Sequence, residues 1–331
     1  MPVLTKATGK GITTDDYKNL GNNIRADAVI CNALLMSLRP GTKYIKKAGG
    51  IHDFMNFDGV VFTDCGGFQV SSNFFIKKTR NGLHFKDPFQ GGRVIITPES
   101  IMQTQHDIGS DVAMMLDDMA PYGATHKEAK QALKNTNKWG LRSLKKHKEL
   151  EKKNPTGQKI FGIVQGNFFP KLRIESAKFL TQHDFDGFAI GGVAIGEPSK
   201  KLYEAVENVL PYLPNNKPVY VMGVGSPEDV KKLSKLGVDC FDSIYPTQVG
   251  RRNTLFTEEG KIYIDKGRQR DKLEPVSKTC NCKVCQNYTR AYLYHLSKIK
   301  DPVGDRFKSI HNSYYLQKMM KELQHARTKT I

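Results

Sequence analysis

Nowhere in its 331 residues does this chain carry an apolar run approaching the roughly 20 residues of a membrane-spanning helix. Its first residues, Met1-Pro2-Val3-Leu4-Thr5-Lys6-Ala7, lack the apolar centre of a secretory signal. These two absences exclude a helical membrane protein and predict a cytoplasmic one, with no membrane partner. Acidic residues are scarce: 33 Asp plus Glu stand against 51 Lys plus Arg, a formal net charge of +18. Such an excess suits a polyanionic partner, nucleic acid first. No Gly-x-Gly-x-x-Gly follows the first strand pattern and no Gly-x4-Gly-Lys-Ser/Thr occurs, so neither a dinucleotide nor a nucleoside triphosphate site is signalled. The six cysteines are few and uneven, three within Cys280–Cys285 and the others scattered at Cys31, Cys65 and Cys240. That distribution excludes a disulfide framework, and the scattered three read as small buried hydrophobes.

What is present is 39% apolar sequence, enough for a substantial core. Short runs rich in Val, Ile and Phe alternate with segments of helical period, the pattern of βα units around a buried parallel sheet. Strands are predicted at 27–31, 60–63, 111–116, 159–164, 187–190, 219–222 and 238–241, with helices such as His126–Leu150 and Pro227–Leu236 between them. Polar or glycine residues follow the runs: Asp64, Asp117, Gln165, Gly191, Gly192 and Asp242. In a (β/α)8 barrel these strand ends converge on one mouth, whereas an open doubly wound sheet would line them along a crevice. We expect a single (β/α)8 TIM barrel domain over 1–331, with a subdomain at 254–312 inserted where the alternation stops. Helical period returns at Asn287–Ile299 and Ser309–Ala326. The Lys-rich stretch Lys145–Lys153 reads as a solvated helix face rather than an RNA groove.

Cys280-x-Cys282-x2-Cys285 places three thiols close enough in sequence to wrap one ion. Zn2+ takes a fourth ligand, for which His295 and His311 are the nearby candidates, His311 at the start of the last helical pattern. Three thiolates and an imidazole fill a tetrahedron and leave no position for water, so the site is expected to be structural, which argues against a zinc hydrolase or deaminase.

Strand ends carrying Asp64, Asp117 and Asp242 gather carboxylates in one cleft. Displacement at a sugar's anomeric carbon needs such a pair, one to attack and one to handle the proton. Asp118 is left out of that chemistry and is read as a cap for the segment that follows it. Three alternatives come from these features: a zinc-stabilised RNA-binding module, a sugar hydrolase on the same barrel, and a subunit that binds RNA without chemistry.

Six motifs in order carry a resemblance over nearly the whole chain: Thr63-Asp64-Cys65-Gly66-Gly67-Phe68-Gln69, Phe161-Gly162-Ile163-Val164-Gln165-Gly166, Ile190-Gly191-Gly192-Val193-Ala194-Ile195-Gly196-Glu197, Met222-Gly223-Val224-Gly225, Phe241-Asp242, and the cysteine cluster with His311. The sequence resembles the tRNA-guanine transglycosylases, of the bacterial type. The resemblance implies exchange of guanine in tRNA, at the anticodon wobble position, for a 7-deazaguanine, by double displacement in queuosine biosynthesis. It implies Asp242 as nucleophile and Asp64 as general acid and base. Asp117, Gln165 and the backbone of Gly192 and Val193 would bind the base edge, and Phe68 and Met222 would sandwich its faces. It also implies one structural Zn2+ on Cys280, Cys282, Cys285 and His311, and a homodimer.

Departures from the family pattern bear on recognition. Gln248 replaces one of two arginines that grip the anticodon loop, Cys65 replaces a serine, and Met119 stands where cysteine or valine is usual. Ile195 occupies the position of a glycine that admits queuine, so the smaller 7-aminomethyl-7-deazaguanine (preQ1) is expected, with Glu197 orienting the nearby backbone. The alternatives within the family are a queuine-using and an archaeosine-type enzyme. Arg251, Arg252, Lys266 and Arg268 are the basic residues expected to meet RNA phosphate, with Arg270 and Lys283 nearby. Family members usually begin some tens of residues earlier, and this chain is expected to start at the equivalent of the first barrel strand.

Overall fold

A computed structural model describes residues 1–67 and 73–328. Its centre is a curled parallel sheet of seven strands: β1 (Ala28–Asn32), β2 (Val60–Asp64), β6 (Val112–Met114), β7 (Lys159–Val164), β8 (Gly187–Ile190), β9 (Val219–Val221) and β10 (Cys240–Phe241), hydrogen-bonded in that order. Between the two edges runs the start of the chain. Pro2 bridges Ser243 beyond β10 and Val3 bridges Ile30 of β1, both in parallel sense. Leu4 donates to the Ile30 carbonyl at 2.8 Å and Ser243 to that of Met1 at 3.3 Å. Residues 1–5 thus form the eighth stave, and the first full strand of the sheet follows at Ala28–Asn32.

The strands are apolar because both of their faces are covered, one by the barrel interior and the other by helices. Phe62 fills the interior edge-on to Phe161 and Tyr220, with ring centroids 5.6 and 6.0 Å apart. Outside lie the helices Pro98–Ile108, His126–Lys153, Pro170–Leu180, Ser199–Glu207 and Pro227–Lys235. Asp111, Asp186 and Asp239, at the strand starts, accept the N–H groups of Val61, Ile160 and Val219 at 2.6, 2.9 and 2.8 Å. These carboxylates satisfy backbone donors at the bottom of the barrel, away from the mouth.

Two antiparallel units had no clear period in the sequence. One comprises β3 (Phe75–Thr79), β4 (Gly82–Lys86) and β5 (Arg93–Ile96), inserted after β2. The other is the hairpin of β11 (Thr254–Thr257) and β12 (Gly260–Tyr263), where the alternation stops. The helix expected at Asn287–Ile299 divides into Lys283–Asn287 and Arg290–Lys298. The last helix starts earlier than its apolar period suggested and spans Pro302–Thr328.

The cysteine segment packs on the N-terminal residues. Leu4, Ile12, Tyr17 and Leu20 share an apolar cluster with Cys282, Cys285 and Tyr314. Lys283 donates to the Leu20 carbonyl at 3.0 Å. Gly21, at φ +125°, lies so close that a Cβ there would sit 2.6 Å from the Asn281 carbonyl oxygen. Arg306 of the last helix grips Asp16 through Nη2 and Nε at 2.8 and 3.1 Å.

Candidate active site

Strand register, more than sequence proximity, assembles the mouth. Pairing of β1 with β2 sets Asn32 opposite Asp64, and Asn32 Nδ2 donates to Asp64 Oδ1 at 2.8 Å. The same oxygen accepts the Gly66 N–H at 2.8 Å. Burial pushes the Asp64 carboxyl up to about 7, with repulsion from Asp242 and Asp117 adding to it and these two hydrogen bonds opposing it. A carboxyl so placed can both give and take a proton at neutral pH.

Asp242 follows β10. Its Oδ1 accepts from the Tyr220 hydroxyl on the adjacent strand and from the Gly223 N–H at 2.8 Å. Burial and the neighbouring carboxylate hold the Tyr220 phenol well above its ordinary range, so it remains a donor.

Asp117 is buried beyond β6. Gln165 Nε2 donates to its Oδ2 at 2.7 Å, and Cys65 Sγ lies 3.4 Å from its Oδ1. Burial raises its pKa, against the pull of those two donors. A Cβ at Gly67 would come within 2.5 Å of Asp117 Oδ1. Gly192, at φ +62°, is equally constrained, because a Cβ there would stand 2.4 Å from Gln165 Oε1.

Val193 is buried, whereas Met222 and Ile195 are half-buried along the rim. Glu197 accepts the N–H groups of Ala194 and Ile195 at 2.6 and 2.8 Å. Phe68, expected to stack on the base, lies outside the described residues. Asp118 does not cap the next helix. That helix begins at His126 under a Thr125 cap, while Asp118 pairs with Lys78 and accepts from Asn135 at 2.8 Å.

Several supporting residues escaped the sequence reading. Arg173 is fully buried beneath the glycines, giving Nη1 to the Gly191 carbonyl at 2.9 Å, Nη2 to that of Gly192 at 3.0 Å and Nε to that of Asn167 at 2.6 Å. Burial lowers its pKa to about 10, which still leaves it charged at neutral pH. Hydroxyls from the outer helices hold the strand ends: Ser143 takes the Leu116 N–H at 3.2 Å, Thr136 that of Asp118 at 2.9 Å and Ser176 that of Gln165 at 3.1 Å. The only sequence signal was a small polar residue on an otherwise apolar helix face.

Cys280, Cys282, Cys285 and His311 converge, with all their donor atoms within 4.8 Å of one another. His311 Nδ1 lies 3.8, 3.5 and 3.4 Å from the three sulfurs in that order. Tetrahedral bonds of about 2.3 Å to sulfur and 2.05 Å to nitrogen require S···N edges of roughly 3.6 Å, so the cradle fits such a metal ion. His311 Nε2 donates to the Phe256 carbonyl at 2.8 Å, which leaves the Nδ1 lone pair facing the thiols. The sequence placed His311 at the start of a helix. It lies instead within the helix Pro302–Thr328, aimed by the Phe256 carbonyl.

Of the residues expected to meet RNA, Arg252, Lys266 and Arg268 are exposed and Arg251 is half-buried. Arg251 Nη1 has no hydrogen-bond partner among the described residues, while Lys266 lies 3.8 Å from the Asp265 carboxylate.

A family model described as Queuine tRNA-ribosyltransferase matches residues 1–328. The chain is 42% identical to the queuine tRNA-ribosyltransferase of Shewanella sp. (strain ANA-3) over 327 residues, which is 98% of this chain and 85% of that protein. To the enzyme of the same name from Shewanella frigidimarina it is 43% identical over the same shares. To that of Tolumonas auensis it is 40% identical, over 98% of this chain and 86% of the relative.

Proposed function

The chain belongs to the queuine tRNA-ribosyltransferase family, and on that premise we propose that it exchanges guanine in tRNA for preQ1 by double displacement at the ribose C1′. Asp242 attacks C1′ through Oδ2, since Oδ1 is occupied by Tyr220 and Gly223. The C1′–N9 bond breaks as the C1′–O bond forms, and Asp64 gives its proton to the departing guanine. The resulting Asp64 carboxylate then removes the proton from the incoming base, whose nitrogen attacks C1′ and releases Asp242. Two inversions retain configuration.

The observation that carries this reading is the convergence of Asp64, Asp117 and Asp242 on one mouth, with Asp64 titrating at about 7. Asp117 and Gln165 present an acceptor and a donor to the base edge. The Gly192 and Val193 backbone and the face of Met222 complete the described part of the pocket, and Phe68 is assigned the stacking role from the sequence alone. Ile195 narrows the site against the larger queuine. Arg251, Arg252, Lys266 and Arg268 meet phosphates of the anticodon loop.

Zn2+, one per chain, is held by Cys280, Cys282, Cys285 and His311 and takes no part in the exchange, because four protein ligands close its shell. Residues 254–312 are the subdomain it organises within a single domain. The functional unit is a homodimer acting on cytoplasmic tRNA. No helix among the described residues is long and apolar enough to cross a membrane.

Exchange of radiolabelled guanine into unfractionated tRNA, with Asp242→Asn beside the wild type and preQ1 as competitor, tests the reading. Loss in the variant and competition by preQ1 support it. Incorporation of labelled queuine but not preQ1 would overturn the choice of base, and no exchange by a folded, metal-loaded protein would overturn the catalytic assignment.

A further inference from the structure

Beside the barrel mouth the β3–β4 hairpin and the helix His126–Lys153 lean together around a cleft of about 710 Å3. Its walls carry four cations, Lys78 and Arg80 from the hairpin and Lys134 and Lys138 from the helix. The hairpin is pinned in place, since Trp139 Nε1 donates to the Arg80 carbonyl at 3.2 Å. Two acidic side chains line the cleft and both are engaged. Asp118 is paired with Lys78, and Glu128 accepts from the N–H and hydroxyl of Thr125 at 2.8 and 2.7 Å.

Along the helix, Lys130, Lys134 and Lys138 are exposed at a four-residue spacing, which sets them about 6 Å apart on one face. Among the described residues, the helix cations with a carboxylate within 4 Å are Arg142 and Lys148, both nearer its other end. Lys134 and Lys138 face Arg80 and the Asp118-paired Lys78 across the open channel, and like charges so arranged are relieved by an anion lying between them. Asp118 lines the cleft and adjoins Asp117 in sequence, so the cleft opens beside the base pocket.

We infer that this cleft is a second binding surface, which takes the phosphate backbone of the substrate RNA outside the loop that enters the mouth. Lys78 joins it to the base pocket, because its partner Asp118 adjoins Asp117. The inference rests on the proposed tRNA exchange. Electrostatic complementarity of this kind adds affinity without sequence preference and is salt-dependent.

Binding of full-length tRNA to the intact protein is measured across a salt series for Lys134→Ala/Lys138→Ala, Lys152→Ala/Lys153→Ala and Arg251→Ala/Arg252→Ala. The cleft pair is expected to weaken binding roughly tenfold at low salt and to flatten the log–log salt slope by about two units. The Lys152/Lys153 pair, exposed on the far end of the same helix, is expected to change neither. An unchanged cleft variant beside a weakened Arg251/Arg252 variant overturns the second surface and leaves the proposed function standing. Equal losses in the cleft and Lys152/Lys153 variants also overturn it, by assigning the effect to net charge alone. If none of the three variants loses affinity, the assignment of RNA as substrate fails as well.

Discussion

Tyr220 and Asp242 meet across the β9–β10 pair, the phenol donating to the carboxylate oxygen that also accepts the Gly223 N–H. Both donors fall on Oδ1, so the carboxylate is fixed in rotation and Oδ2 is left for the bond to C1′ that we propose. A hydrogen bond to a charged group contributes about 1.5–3 kcal/mol. Tyr220→Phe keeps the ring that packs on Phe62 but removes this bond. It is expected to slow guanine exchange roughly ten- to hundred-fold, with tRNA affinity unchanged. A rate equal to wild type would show that the phenol serves packing alone.

The Asp64 carboxyl titrates at about 7 in the folded protein and at about 3.9 when unfolded. Between those values the unfolded chain releases the proton while the folded chain keeps it, so stability falls as pH rises through that window and the penalty is constant above it. Asp64→Asn lacks the penalty and still accepts from Asn32 and Gly66. Its melting temperature relative to wild type is expected to climb from pH 4 to pH 7 and then level off. A difference that stays flat across that range would mean the carboxyl ionises normally.

Gly192→Ala places a methyl group against Gln165 Oε1 at a backbone angle that favours glycine. Gln165 must then leave Asp117. The expected result is a KM for guanine raised on the order of tenfold, the equivalent of one lost hydrogen bond in the base pocket. Arg173→Met, which strips three buried carbonyls of their donor, is expected to raise the same KM and to lower stability by about 1–3 kcal/mol or more.

Cys282→Ser removes one ligand from a four-ligand cradle. Metal analysis is expected to fall from about one zinc per chain to a small fraction of that. Unfolding free energy should drop by about 4 kcal/mol or more, in keeping with the loss of a structural ion. Full metal content in this variant would assign the fourth ligand elsewhere.

Much of the barrel was legible because a parallel strand is apolar on both faces, so seven short runs stood out, and 159–164 and 187–190 matched their strands at both ends. The acids also sorted themselves: Asp64, Asp117 and Asp242 end their runs, whereas Asp111, Asp186 and Asp239 begin or precede theirs and bond strand N–H groups. What stayed hidden depends on register. Tyr220 lies inside an apolar run, and only the pairing of β9 with β10 makes it a partner of Asp242. Arg173 sits in the helix Pro170–Leu180, where nothing local distinguishes a buried arginine from a solvated one. Residues 1–5 carry no strand period of their own, because two single bridges hold them, and only the family resemblance placed a barrel strand at the start of the chain. The β3–β5 unit was missed for a related reason, since most side chains of Phe75–Thr79 face water.

The metal cradle and the segment that follows Asp242 are joined by two consecutive residues of the helix Pro302–Thr328. His311 turns to the thiols, while Asn312 gives Nδ2 to the Pro246 and Thr254 carbonyls at 2.9 Å each and accepts the Phe256 N–H at 3.0 Å. Pro246 lies just past Asp242, so the helix that closes the cysteine–histidine cradle also seats the segment that follows Asp242. On the ribosome, that helix emerges after every strand of the barrel. A nascent chain can therefore carry every carboxylate of the mouth before the segment just past Asp242 is seated, and that seating waits on the docking of this helix.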